Sequence, residues 1–239
     1  EFIMIMKSQA RVDAGRKAKL DGHTEEDTSA VNLTESTGYV HKTDGACNTK
    51  RDIICEDLGD YYSKKSVSKE HTQCHCTSWD VWCRYFEITG EVREWFGLFF
   101  GTPWKDVSNG TDPHQHRFVG NERLNELGLK WFNDHKREIF DAIVRNGIYE
   151  DRKTKVISVG EYVNKMIWYN KLTKEEKIYN IQDIADVVEG GHWILRPTTL
   201  WFNDANGNKL FHLQMKGSSK RFSSAYHNLM FHIYKPHVT

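Results

Sequence analysis

Apolar and polar positions along the chain follow different periods in different stretches. Ala10, Val12, Ala14, Ala18 and Leu20 give a weak helical spacing that Asp21-Gly22-His23 interrupts. Glu25 to Leu33 resumes with good helix formers, so a helix is expected to carry Glu25 and Glu26 towards the stretch that follows. Ser36 to Asn48 reads as a polar loop or a short strand around Gly38-Tyr39-Val40.

Lys50 to Ser68 predicts a β-hairpin. Arg51 to Glu56 is a short β-rich run carrying Asp52, and Asp57-Leu58-Gly59-Asp60 has the residues that tolerate a tight turn. Tyr61 to Val67 alternates with period two. Tyr61, Ser63, Lys65 and Val67 therefore share one face, and Tyr62, Lys64 and Ser66 the other. Pairing the strands brings Asp52 and Lys65 to one end of the hairpin.

Ser68 to Cys76 is polar, and Trp79 to Phe100 is aromatic and predicts helix with Trp82, Tyr85, Phe86, Trp95 and Phe99 in the core. A long connection is expected over 101–120, where Pro103 and Pro113 fall. Asn121 to Asn146 is the clearest helical region, with Gly147 as its C-cap. Val156 to Leu172 is mixed, and Ile178 to Val188 is short and amphipathic, ending at Gly190-Gly191. Three strands are expected between Trp193 and Tyr234, with a hairpin turn at Asp204-Ala-Asn-Gly-Asn208.

Composition narrows the class. With 239 residues, 38% hydrophobic and 28% charged, the chain can build a sizeable core. No apolar run approaches the ~18 residues of a membrane span. Glu1 to Met6 is too short for a secretory signal, and five cysteines are an odd number, so a reducing, cytoplasmic location with free thiols is expected.

Thirty-three basic and 33 acidic residues balance, which excludes a uniformly basic coat but not a basic groove. Ala205 to Thr239 contains no Asp or Glu, yet holds Lys209, Lys216, Lys220, Arg221 and Lys235. That segment is the candidate for contact with a phosphate backbone. His71, Cys74, His75, Cys76 and Cys83 raise the question of zinc, but their spacing is not that of a standard knuckle. Structural cysteines are the expected reading.

Two stretches have the form acid, turn, then polar-x-Lys on a strand: Asp52 with Ser63-x-Lys65, and Asp204 with Gln214-x-Lys216. An acid and a lysine on adjacent strands suit metal-assisted phosphodiester hydrolysis, because the carboxylate can hold Mg²⁺ and the lysine can orient or deprotonate water. Gln and Lys on one strand face suit base-edge reading. Both stretches also fit solvated sheet residues, and composition does not decide between them.

The pattern Lys50-x-Asp52-Ile53, turn, Ser63-x-Lys65-x-Val67-Ser68 resembles the PD-(D/E)XK nuclease core. It is most similar to small type II restriction endonucleases that cut four-base, GC-only sites. Asp21-Gly22-His23-Thr24-Glu25-Glu26 resembles their N-terminal helix motif. Trp79 with Phe86-x-x-Thr89-Gly90-Glu91, Glu126 to Gly147, and Gly191 to Ile233 resemble later segments in the same order. The last of these includes Gln214-x-Lys216-Gly217. The resemblance runs from about Lys19 to Ile233.

It implies an α/β (α+β) fold: a mixed central sheet flanked by helices, with a C-terminal β-hairpin for DNA recognition. One endonuclease domain would span 1–239, with a catalytic core at about 19–100, a helical middle at 101–189 and a recognition segment at 190–239. It implies Asp52 and Glu26 as Mg²⁺ ligands, Lys65 as the catalytic lysine, and Ser63 where a Glu, Asp or Gln normally sits. That serine is a departure from the pattern, since its hydroxyl is a weak neutral ligand. Gln214, Lys216 and Gln73 would meet bases, and Ser68, Ser218, Lys220 and Arg221 the backbone.

The implied activity is Mg²⁺-dependent, site-specific cleavage of double-stranded DNA at a short GC-rich palindrome, leaving 5′-phosphates. The enzyme would act as a monomer or homodimer, with no membrane partner. A non-specific or repair-type nuclease of the same fold and a non-catalytic DNA-binding module are the alternatives.

Overall fold

Why does the first helix not break at Asp21-Gly22-His23? In the computed structural model of the protein, α1 runs unbroken over Gln9–Thr37. The model describes residues 9–45, 50–101, 122–151, 153–196, 199–215 and 228–238. Gly22 costs a helix only about 1 kcal/mol. The backbone ladder continues through it, and Thr24 and Thr28 turn their hydroxyls back to the carbonyls of Leu20 and Thr24. Ala30 and Leu33 bury the C-terminal half of α1 against Ile53, Tyr62 and Ile167. Gly38, at φ 77°, closes the helix with its N–H on the Thr34 carbonyl.

The hairpin forms as its pattern dictates. Strand β1 (Lys42–Thr43) pairs with β2 (Ile53–Cys55), and β2 pairs antiparallel with β3 (Asp60–Val67), Ile53 facing Tyr62. Gly59, at φ 65°, makes the turn. Strand β7 (Lys165–Asn170) lies parallel to β3, and β8 (Glu176–Asn180) closes the far edge. This mixed sheet has the order β1-β2-β3-β7-β8. The α1 side carries Tyr62, Lys64 and Ser66. The other side of β3 carries Ser63, Lys65 and Val67, and Val67 joins Met166 and Trp168 in the main core.

Here the structure adds something the sequence pattern did not suggest. Ser68 to Cys76, read only as polar, supplies strand β4 (His71–Ser78). Strand β4 does not return to β3 but pairs with β12 (Asn228–Tyr234). A second, antiparallel sheet follows in the order β4-β12-β11-β10-β9. Its other members are β9 (His192–Leu195), β10 (Thr199–Asn203) and β11 (Lys209–Met215). The stretch from Trp193 to Tyr234 thus reaches across four strands rather than three, because His192 to Leu195 pairs with β10. The Asp204 carboxylate fastens the β10–β11 turn, accepting from the backbone N–H groups of Asn206 and Asn208.

Helices fill the space behind the second sheet. The aromatic stretch forms two helices rather than one, α2 (Trp79–Tyr85) and α3 (Gly90–Gly101), separated where Glu87 and Gly90 take positive φ. Then come α4 (Glu122–Asp134), α5 (Lys136–Phe140) and a π-helical turn (Asp141–Asn146). Gly147 ends the π-helical turn at φ 90° as its expected cap. The small pair β5 (Ile148–Glu150) and β6 (Ile157–Val159) follows, and α6 (Ile181–Gly190) succeeds β8 directly. The stretch from Ile178 to Val188 is therefore split between strand and helix. Apart from its first residue, the connection expected over 101–120 lies outside the described residues.

The core between helices and second sheet is aromatic. Trp95 stacks on Phe99 at 4.9 Å, Phe96 on Phe132 at 5.5 Å, and Trp82 on Phe231 at 6.4 Å. Each such ring contributes about 1.5–3 kcal/mol by leaving water. Among the described residues, no helix is long and apolar enough to cross a membrane.

Candidate active site

Strand β2 begins one residue after Asp52, and that offset builds the site. The Asp52 backbone N–H still reaches the Tyr62 carbonyl, at 2.8 Å, but no β2 residue faces Lys64. The Lys64 backbone N–H is satisfied instead by the Asp52 carboxylate, which accepts it at Oδ2 over 2.6 Å. Ser63 donates its hydroxyl to the same oxygen at 3.3 Å. Lys65 donates from Nζ to the Ser63 hydroxyl at 2.5 Å and to the Lys64 carbonyl at 3.4 Å. Asp52, Ser63 and Lys65 thus form one connected chain. Ser63 is 1% exposed and Lys65 9%.

The neighbouring lysine has a different occupation. Lys64 points to the α1 side, where Nζ donates to the Glu25 carbonyl at 2.6 Å and to Ser29 at 2.5 Å. Glu176 lies 3.4 Å from the same ammonium. Lys64 therefore ties α1 to the sheet, while Lys65 faces the interior of the site.

The two glutamates of α1 also divide. Glu25 accepts from Ser66 at 2.8 Å and pairs with Lys171 at 3.1 Å. Burial works to raise its pKa, but these two partners outweigh it and hold the carboxyl below the usual range. Glu26 is pushed the other way: burial first, then the negative charge of Asp52, raise its pKa, against a 3.3 Å contact with His23. Of the two, Glu26 is the one that the Asp52 charge reaches.

Two carboxylates that repel each other beside a buried lysine make a donor set suited to a hard divalent cation such as Mg²⁺. The two side-chain contacts described for Asp52, from the Lys64 N–H and the Ser63 hydroxyl, both go to Oδ2. Asp52 and Glu26 are the residues that fit the cation. The Ser63 hydroxyl already serves Lys65 and Asp52, so it adds little to the ligand set.

Sequence reasoning assigned no role to several groups that line this place. Lys50 is buried and donates from Nζ to the Cys74 carbonyl at 2.5 Å. Burial lowers its pKa, the Lys65 charge adds to that, and Asp52 opposes it. His75 is buried with its Nε2 unpartnered among the described residues, and burial followed by the Lys50 charge pushes its pKa down to about 3. Burial, then the Asp52 charge, raises Tyr149 to about 12. Lys50 stood in the Lys-x-Asp motif and was visible. His75 and Tyr149 come from β4 and β5, and no local pattern connects them to Asp52.

The chain matches no family model and no curated protein. Among solved structures it is similar to the restriction endonuclease MspI in complex with its cognate DNA, at 15% identity over 89% of this chain and 77% of that one, with a TM-score of 0.41. A likeness that slight carries no argument about chemistry or substrate, which rest on the geometry above.

The residues expected to meet DNA fall in three groups. Gln73 and Gln214 lie on one face of the second sheet. Gln73 is opposite His232 in the β4–β12 register, and Gln214 lies 3.4 Å from the His232 ring. Ser68 is exposed directly after β3. Lys216, Ser218, Lys220 and Arg221 lie outside the described residues. Of the cysteines weighed for zinc, Cys74 approaches Lys50 and Cys83 is buried in the aromatic core. The group of potential metal ligands found among the described residues is a different one, His71, His212 and His232.

Proposed function

We propose that the chain is a Mg²⁺-dependent endodeoxyribonuclease of the type II restriction class, cutting double-stranded DNA at a short GC-rich palindrome. The observation that carries this reading is the connected chain from Asp52 through Ser63 to Lys65, with Glu26 of α1 under the influence of the Asp52 charge. The ordered motifs that resemble the PD-(D/E)XK nucleases support it.

In this reading water attacks phosphorus in line with the 3′ oxygen. The P–O3′ bond breaks, the oxygen of water stays on phosphorus as a 5′-phosphate, and the leaving O3′ takes up a proton. Lys65 has three N–H donors and spends two on Ser63 and the Lys64 carbonyl. The third is available to orient the attacking water or a phosphate oxygen. Asp52 and Glu26 hold the cation, and Asp52 also fixes the Ser63–Lys65 pair. Bound Mg²⁺ supplies charge that offsets the charge developing on the phosphate oxygens. Gln214, Gln73 and Lys216 read base edges, while Ser68, Ser218, Lys220 and Arg221 set register on the phosphates.

Ser63, in the place of an acid or amide ligand, favours one competing reading, a DNA-binding module without catalysis. Incubation of a plasmid of known sequence with the protein and Mg²⁺ separates the cases. Discrete fragments with a common end sequence support the proposal. A smear supports a non-specific or repair-type nuclease, and a gel shift without Mg²⁺-dependent cutting supports the binding module.

A further inference from the structure

We propose that His71, His212 and His232 form a second metal site, for a divalent transition cation of the zinc class. One ring nitrogen from each lies within 4.8 Å of the other two. The three residues come from adjacent strands. His212 on β11 is directly opposite His232 on β12, and His71 on β4 pairs with Tyr234, two residues further along β12. A register shift between Phe231 and His232 marks a bulge there, a device that re-aims side chains. The ring centroids are 4.2, 4.9 and 5.1 Å apart.

Two of the rings have a polar neighbour that can fix the tautomer. Tyr234 lies 3.0 Å from His212 Nδ1, and accepting that N–H leaves Nε2 of His212 as a lone-pair donor. The Gln214 amide lies 3.4 Å from His232 Nε2. Turned so that its oxygen accepts the N–H, it leaves Nδ1 of His232 as the donor. His232 Nδ1 is buried and has no hydrogen-bond partner among the described residues. A buried polar atom left so is costly, and a metal ion satisfies it.

The donor chemistry selects the cation. Three imidazoles with no carboxylate among them suit Zn²⁺, Co²⁺ or Ni²⁺ and are poor for Mg²⁺ or Ca²⁺. Burial keeps the rings in the neutral form that ligates. Zinc–nitrogen bonds of about 2.0–2.1 Å bring ligand nitrogens to about 3.4 Å from one another, so binding closes separations of up to 4.8 Å and turns the His212 and His232 rings, stacked here at 15°, until their nitrogens converge. His71, the first residue of β4, is the least buried of the three. The ion would tie β4 to β11 and β12, and it shares no ligand with Asp52 and Glu26.

Zn²⁺ titration of the full chain by calorimetry, with millimolar Mg²⁺ present to occupy the carboxylate site, tests the proposal without any cleavage assay. One equivalent should bind and raise Tm. His71→Ala, at a half-buried position and verified as folded by circular dichroism, should lose that binding and the Tm rise. Tyr234→Phe should weaken binding by about 10-fold, and Asp52→Asn should leave it unchanged. Failure of the wild-type chain to bind, equal binding by His71→Ala, or loss of binding in Asp52→Asn would overturn it. Each of those results is independent of whether the chain cuts DNA.

Discussion

The side-chain nitrogen of Lys65 stands 2.5 Å from the hydroxyl of Ser63. The serine that departs from the expected ligand pattern is therefore the joint between lysine and aspartate. Ser63→Ala takes one contact from each of two buried or half-buried charged groups and should cost about 1–3 kcal/mol, read from urea unfolding. Ser63→Asp adds a hard oxygen donor beside Asp52. It should lower the Mg²⁺ concentration giving half-maximal cleavage, and an unchanged or higher requirement would contradict the assigned geometry.

Glu26 carries a charge that burial, and then Asp52, disfavour. Its folded pKa lies above its unfolded one, so its contribution to stability is full below the unfolded value and is lost as pH rises through the folded one. Without metal, Glu26→Gln should therefore raise Tm at pH 7, and the gain should vanish towards pH 4. Mg²⁺ should stabilise the wild type more than the variant. Thermal melts at both pH values, with and without Mg²⁺, measure this.

His75 behaves oppositely. Its folded pKa of about 3 lies below the unfolded value of about 6.5. Its contribution is present above pH 6.5 and lost as pH falls towards 3, because unfolding lets the imidazole charge. The wild-type Tm should fall between pH 6.5 and pH 4, and His75→Gln should show a shallower fall. Parallel melting profiles for the two proteins would remove His75 from the account of acid sensitivity.

The helices depend on one close approach. A Cβ on Gly128 would lie 2.2 Å from Trp95 Cδ2. Trp95 is 1% exposed and stacked on Phe99, so it has nowhere to move. Gly128→Ala should gain about 1 kcal/mol of helix propensity but lose about 1–3 kcal/mol to overpacking. Denaturant unfolding should show a net loss.

The hairpin was legible in the sequence because its signals are local: alternation in Tyr61 to Val67 and turn residues at 57–60. Asp52 and Lys65 could be paired from that alone, and the helix bringing Glu26 was visible in the composition of residues 25–33. The unbroken α1 was not, since Gly22 is tolerated at modest cost where nothing packs against it. Strand β4 was missed because its polar sequence gives no two-residue hydrophobic period. It is held as a strand by its pairing with β12, some 150 residues away in sequence. The same long-range pairing gathers His71, His212 and His232, three histidines that share no spacing pattern. His75 and Tyr149 reach the Asp52 region in the same way, through strands the sequence did not tie to it.

Single-turnover cleavage of a plasmid by wild type, Asp52→Asn and Lys65→Met, each verified as folded, tests the central claim most directly. The account predicts Mg²⁺-dependent cutting by the wild type and a loss of at least about 100-fold in each variant. Cutting by either variant at the wild-type rate would contradict it.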